Sequence, residues 1–257
     1  MKARTLPPKA GWTWLTGGLA IFLRNPPLLS LLVLTYWFII ILLTAIPLLG
    51  SIVASLLIPG LSVGLMDACR RLERSQPVVL NTLFASLKPN GRTLMSLGGL
   101  YLVATLAILG MSALVDGGDL LRYMLSGQPI DREVLESGAL LPPAALVMLL
   151  LTPLLMAYWF APVLAAWHQL PAGKALFFSF VACWLNWRPF LVYSLGLLGV
   201  GIAVIGSLFV LFLMLLPQTS AGALYLLMFP LALLLAPTVI ASFYVSYRDV
   251  FALSERA

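Results

Sequence analysis

The chain has 257 residues, of which 61% are hydrophobic and only 9% charged, against about 25% charged in an ordinary soluble domain. A water-soluble fold could not bury so much apolar surface, so soluble enzymes and soluble binding modules are excluded. The net charge of +6 could suggest nucleic acid, but its placement along the chain points to membrane topology and predicts no nucleic-acid partner.

Crossing a hydrocarbon core takes about 20 helical residues. Six apolar stretches free of Asp, Glu, Lys and Arg approach or exceed that length, at about 28–46, 51–66, 93–115, 143–167, 190–216 and 222–247. Each is continuously apolar where a barrel strand would alternate, which favours helices. Ahead of the first, Trp12, Leu15, Leu19 and Phe22 recur at spacings of three and four. Phe177, Phe180, Trp184 and Trp187 repeat the pattern before the fifth, and Leu80, Leu83 and Leu87 give part of it before the third. Such spacing places the apolar side chains on one helical face.

Each of these stretches ends near a basic residue with Asn and Pro close by: Arg24-Asn25-Pro26, Lys88-Pro89-Asn90-Gly91-Arg92 and Asn186-Trp187-Arg188-Pro189. Proline disfavours helix at its predecessor, so the helix should break at all three before the chain turns into the membrane. The second span of each pair carries a proline of its own, Pro59, Pro162 and Pro237, predicted to kink the helix and to free the carbonyls of Ser55, Tyr158 and Leu233. The predicted fold class is all-α: one polytopic transmembrane domain over 1–257, six spans arranged as three helical hairpins with cytoplasmic interfacial helices. Its pseudo-repeats run about 11–71, 79–168 and 173–248, with an outer acidic loop at about 116–141.

Thirteen of the fifteen Lys and Arg residues lie in the N-terminal segment, the second and fourth loops and the C-terminal tail. By the positive-inside rule these are cytoplasmic, with both termini inside. The third loop holds five of the nine acids, Asp116, Asp119, Asp131, Glu133 and Glu136, and should face outward. The first apolar run ends at Ile46-Pro47 without a small-residue cleavage pattern, so it is expected to stay as an anchor. Cys69 and Cys183 fall on the cytoplasmic side, where thiols remain reduced.

Gly60, Gly64 and Ala68, and likewise Gly199, Ala203 and Ser207, place small residues four apart, the spacing that lets membrane helices approach closely. They are expected at helix contacts, within the chain or with a partner. Trp12, Arg24, Arg92, Trp184, Trp187 and Arg188 are expected at lipid headgroups. No Asp, Glu, Lys, Arg or His sits mid-span, which argues against an ion-coupled carrier. The single histidine, His168, has only Asp67, Cys69 and Cys183 as candidate companions near its leaflet, and no phosphate loop, HExxH or GxSxG occurs. The expectation is therefore a chain that is not an enzyme and takes no cofactor.

The segment from Ile58 through Pro59, Gly60, Gly64 and Asp67 to Arg70, with Gly11-Trp12 and Arg24-Asn25-Pro26 upstream, resembles a family of uncharacterised multi-pass inner-membrane proteins of Gram-negative bacteria. More loosely, the chain is similar to the membrane domain that accompanies some glycerophosphodiester phosphodiesterases. The first resemblance implies the bacterial inner membrane and supplies no catalytic residues. The second implies a link to phospholipid. Together with composition they lead to the expectation of an accessory or scaffold subunit, whose partners are membrane lipids and a membrane protein or second copy. A transporter or flippase of an apolar or lipid-like substrate is the alternative.

Overall fold

The computed structural model of the protein describes residues 3–47, 49–126, 140–215 and 221–251, and no strand occurs among them. Its helices are α1 Ala10–Phe22, α2 Pro26–Thr44, α3 Leu49–Glu73, α4 Leu87–Asp116, α5 Asp119–Ser126, α6 Leu141–Trp159, α7 Ala161–His168, α8 Ala172–Leu185, α9 Trp187–Leu215 and α10 Ala221–Val250. Helices α2, α3 and α4, the α6–α7 pair, and α9 as far as Ser207 are each long and apolar enough to cross a membrane. The sixth expected span falls on α10, which is 30 residues long. Asp131, Arg132, Glu133 and Glu136 of the expected outer loop lie outside the described residues. So do Lys2 and Arg256.

Two of the three expected breaks occur, and an asparagine serves each. Asn25 caps α2, its side chain accepting from the Leu28 amide at 3.3 Å, with Pro26 at the first helical position. Asn186, fully buried, separates α8 from α9. Its amide accepts from the Leu6 N–H and donates to the Arg4 and Ala182 carbonyls, each at 2.9 Å, which ties down the extended N-terminal segment. The third break does not form. Pro89 sits in the first turn of α4, where its missing N–H would have had no intrahelical partner, and only a 3-10 turn at Leu80–Phe84 stands where an interfacial helix was expected.

The segment ahead of each pair of spans packs on the second span of the preceding pair, and the first closes on the last. Thus α1 lies against α10 and α9, the 3-10 turn against α3, and α8 against α6 and α7. Apart from Phe22, the residues buried in these contacts are not those of the aromatic stripes. On α1 the buried positions are Ala10, Gly11, Trp14, Gly18, Ile21 and Phe22, and on α8 they are Ala175, Ser179, Ala182 and Cys183. Trp14, Gly18, Ile21 and Phe22 correspond to the four on α8 at a constant displacement of 161 residues, the displacement that also relates Asn25 to Asn186. Matching Trp12 with Phe177 is one helical turn out of this register. Both point outward, 53% and 63% exposed, as aromatic rings do at a bilayer interface.

Small residues set the distances in this ring. A methyl group added at Gly18 would sit 2.5 Å from the Ser242 amide nitrogen on α10. Trp14 inserts beside it with no exposure, edge-on to Phe190 at 5.2 Å and Tyr193 at 5.9 Å on α9.

Helix α3 runs without interruption through Pro59, and α10 through Pro237. The carbonyls these prolines free are covered by neighbouring helices. Ser30 on α2 donates to the Leu233 carbonyl at 3.0 Å, and the Gly98 backbone on α4 lies so close to the Ser55 carbonyl that a side chain there would overlap it. At Pro162 the helix does break, at Phe160, between α6 and α7. The Ser179 hydroxyl enters the gap, accepting from the Phe160 N–H at 2.9 Å and donating to the Met156 carbonyl at 2.8 Å. It stands in for the missing i to i−4 bond. Ser179→Ala should therefore strand both backbone groups and cost about 1–3 kcal/mol, measured by denaturant titration of helicity in detergent. Unchanged stability would show that the gap closes by itself.

Candidate functional site

The second spans of the three pairs, α3, α6–α7 and α10, surround a cavity of about 440 Å³ lined to either side of Pro59 and Pro162. From α3 it is lined by Ser55, Ile58, Pro59, Ser62, Leu65 and Met66, and from α6 and α7 by Leu155, Tyr158, Trp159, Pro162 and Val163. Val239, Ile240 and Phe243 of α10 form a third wall, while Tyr36, Gly98, Tyr101 and Tyr193 come from the first spans of the pairs, α2, α4 and α9. Ile58 and Leu155, 37% and 43% exposed, place part of this lining at the surface of the bundle.

No ionisable acid or base lines it. The polar atoms on its wall are phenols, hydroxyls and one indole. Tyr158 donates to the Leu97 carbonyl at 3.1 Å, Tyr193 pairs with Ser242 at 2.8 Å, and Ser62 donates back to the Pro59 carbonyl at 2.9 Å. The Trp159 Nε1–H is buried without an acceptor.

Immediately towards the charged ends of the same helices the chemistry changes. Asp67, one residue beyond the cavity-lining Met66, is buried and takes Arg70 at 2.6 Å and Arg71 at 2.7 Å. Arg70 lies over the Trp167 ring at 4.3 Å. Glu73 accepts from the Tyr244 hydroxyl at 2.6 Å and pairs with Arg248, which also meets Asp249 at 2.9 Å. Burial opposes the charge on Arg248, but the Asp249 and Glu73 carboxylates outweigh it and hold the guanidinium above its ordinary pKa. His168 Nε2 lies 2.7 Å from the Tyr247 hydroxyl, away from Asp67 and both cysteines as hydrogen-bond partners. This layer ties the ends of α3, α7 and α10 together, and no reader of the sequence alone would pair Glu73 with Arg248 across 175 residues.

The residues singled out from sequence divide sharply. Gly60 and Gly64 face the chain's own segment 80–94. A methyl at Gly60 would strike the Leu87 side chain, one at Gly64 would overlap the Leu83 backbone, and Ala68 is fully buried. The stripe Gly199, Ala203 and Ser207 makes no such contact, being exposed on α9 with nothing within 4 Å of a methyl at Gly199. The packed glycine of that helix is Gly196, against Leu15 and Trp12 of α1. Of the two contacts expected at Gly199, the one within the chain is not formed among the described residues, where α9 meets α1 near its start.

Among the headgroup candidates, Trp12, Arg92, Trp184, Trp187 and Arg188 are exposed, with Arg188 set over the Trp187 ring at 5.4 Å. Arg24 is committed elsewhere. Its guanidinium donates to the last carbonyls of α3, Leu72 at 3.0 Å and Glu73 at 2.6 Å, the role of a C-terminal cap.

Among known proteins, the chain is similar to a probable inner membrane protein of Burkholderia thailandensis, 38% identical over 253 residues that cover 96% of this chain and 93% of that protein. No family model matches the sequence, and no solved structure does.

Because the partner of Gly64 is Leu83 of the same chain, Gly64→Leu should destabilise the isolated protein by about 1–3 kcal/mol, while Gly199→Leu should leave its folding unchanged. Thermal aggregation of the two variants in mild detergent separates them. Equal stability would mean that the α3 contact is loose.

Proposed function

This chain belongs to the family of the Burkholderia probable inner membrane protein, and on that premise we propose that it resides in the inner membrane and holds an apolar or lipid-like molecule between its inward spans, without catalysing a reaction on it. The observation that carries this is the cavity of about 440 Å³ walled by the proline-bearing spans, within the size range of small-ligand pockets. Between the two roles expected from composition, that cavity favours a carrier or flippase over a scaffold. Gly60 and Gly64, which could have served a partner, already serve the chain's own fold. The looser likeness to the membrane domain of glycerophosphodiester phosphodiesterases supports lipid as the cargo class.

The scaffold reading keeps one supporting observation. The small-residue stripe Gly199, Ala203 and Ser207 is uncovered on α9 and suits a helix of a membrane partner. The same Gly199→Leu variant tests it, since loss of a co-purifying protein from a folded variant would favour a scaffold.

Both termini are placed on the cytoplasmic side, supported by the charge asymmetry of the loops. The native thiols give little background, since Cys69 and Cys183 are both buried and burial pushes the Cys183 thiol up to about 12. A cysteine placed at Ser75 should react with an impermeant maleimide only after lysis, and one at Gln128 in intact spheroplasts. The opposite pattern would invert the topology. For the carrier, Pro162→Ala should lower the rate of lipid movement in reconstituted vesicles several-fold while the folded yield is kept, because it restores a rigid helix at the cavity wall. Unchanged movement would remove the carrier reading.

A further inference from the structure

We propose that the cavity takes a single hydrocarbon tail of a membrane lipid whose headgroup stays outside the bundle, a proposal that rests on the lipid-holding reading above. A methylene and a water occupy similar volumes, and a water's share of liquid is about 30 Å³, so a cavity of about 440 Å³ holds on the order of fifteen carbons. That is room for at least one acyl chain, and it is the uncharged lining, not the volume, that keeps the rest of the lipid out.

The lining excludes the rest of the lipid on electrostatic grounds. A phosphate or ammonium group inside would shed its hydration with no opposite charge to meet it, which is costly in a low-dielectric site. The polar atoms present are mostly spent on the protein itself, Tyr158 on Leu97, Tyr193 on Ser242 and Ser62 on Pro59. What they leave for a ligand is the Trp159 Nε1–H, the ring faces and the apolar walls of Met66, Val163 and Ile240. The end beyond Met66 is closed by charge. Asp67 with Arg70 and Arg71 blocks a tail from passing through, while the exposed Ile58 and Leu155 let one enter from the lipid.

Photolabelling of the full chain tests this directly. The protein is reconstituted in phosphatidylethanolamine–phosphatidylglycerol vesicles doped either with phosphatidylcholine carrying a diazirine near the end of one acyl chain, or with phosphatidylethanolamine carrying it on the headgroup. Labelled peptides are then mapped by mass spectrometry. The tail probe should mark Met66, Tyr158 or Tyr193, and the headgroup probe should mark them at least tenfold less. Filling the cavity with Ser62→Phe or Val239→Phe should cut the tail signal at these residues at least fivefold, while labelling of the exposed Leu149 on α6 stays constant as a measure of folded protein in the bilayer. Equal marking of the cavity by both probes would overturn the single-tail assignment and leave lipid holding intact. Marking by neither, with Leu149 labelled, would overturn both. Cavity labelling that survives in both filled variants would place the tail elsewhere and overturn the site.

Discussion

A proline within a membrane helix leaves a carbonyl that water cannot serve, so the protein must cover it. Much of this bundle follows from how that requirement is met. Ser30 brings α2 to Leu233 of α10, and Gly98 brings α4 onto Ser55 of α3. Ser179 brings α8 into the opening between α6 and α7. Each contact joins an inward span to a helix from a different part of the chain. Backbone chemistry thereby fixes which helices are neighbours, in a solvent where apolar side chains alone give helices little reason to associate.

The same prolines leave room. Pro59 and Pro162 stand on facing walls of the cavity, where a proline removes a donor and keeps its own chain from packing as an unbroken helix would. Close approach is concentrated to either side, at Gly98 against Ser55 and at Gly64 against Leu83. Tight contacts around a loose centre give the bundle a stiff frame with a void in it.

The spans were legible because each is a long run without charge, and hydropathy reports that directly. The breaks at Asn25 and Asn186 were legible too, since Asn with a following Pro has a mechanism. Pro89 misled because the same residues at a helix start are indistinguishable in sequence from those at a helix end, and only the short 3-10 turn before Leu87 decides between them. The aromatic stripes were expected at the lipid interface, while the packed faces went unread because small residues such as Gly18 and Ser179 leave no strong periodicity. In a membrane the reasoning that large apolar residues point inward fails, because lipid accepts Phe177 and Trp184 as readily as a core does. The small residues one step around the helix carried the contact. On α1, Trp14 and Phe22 could have been found by asking which aromatics stand four residues from Gly18.

The cavity itself left no trace in any single stretch, because its walls come from α2, α3, α4, α6, α7, α9 and α10 at once. Its chemistry was nevertheless present as an absence of charge. All the acids and bases of α3 lie at its end, from Asp67 onward, and those of α10 from Arg248 onward. Folding stacks these ends into one layer in which Asp67 and Glu73 answer Arg70, Arg71 and Arg248. Confining charge to one end of the inward helices therefore does two things with one sequence pattern. It keeps the cavity uncharged over its depth, and it supplies the Glu73–Arg248 pair that joins the ends of α3 and α10.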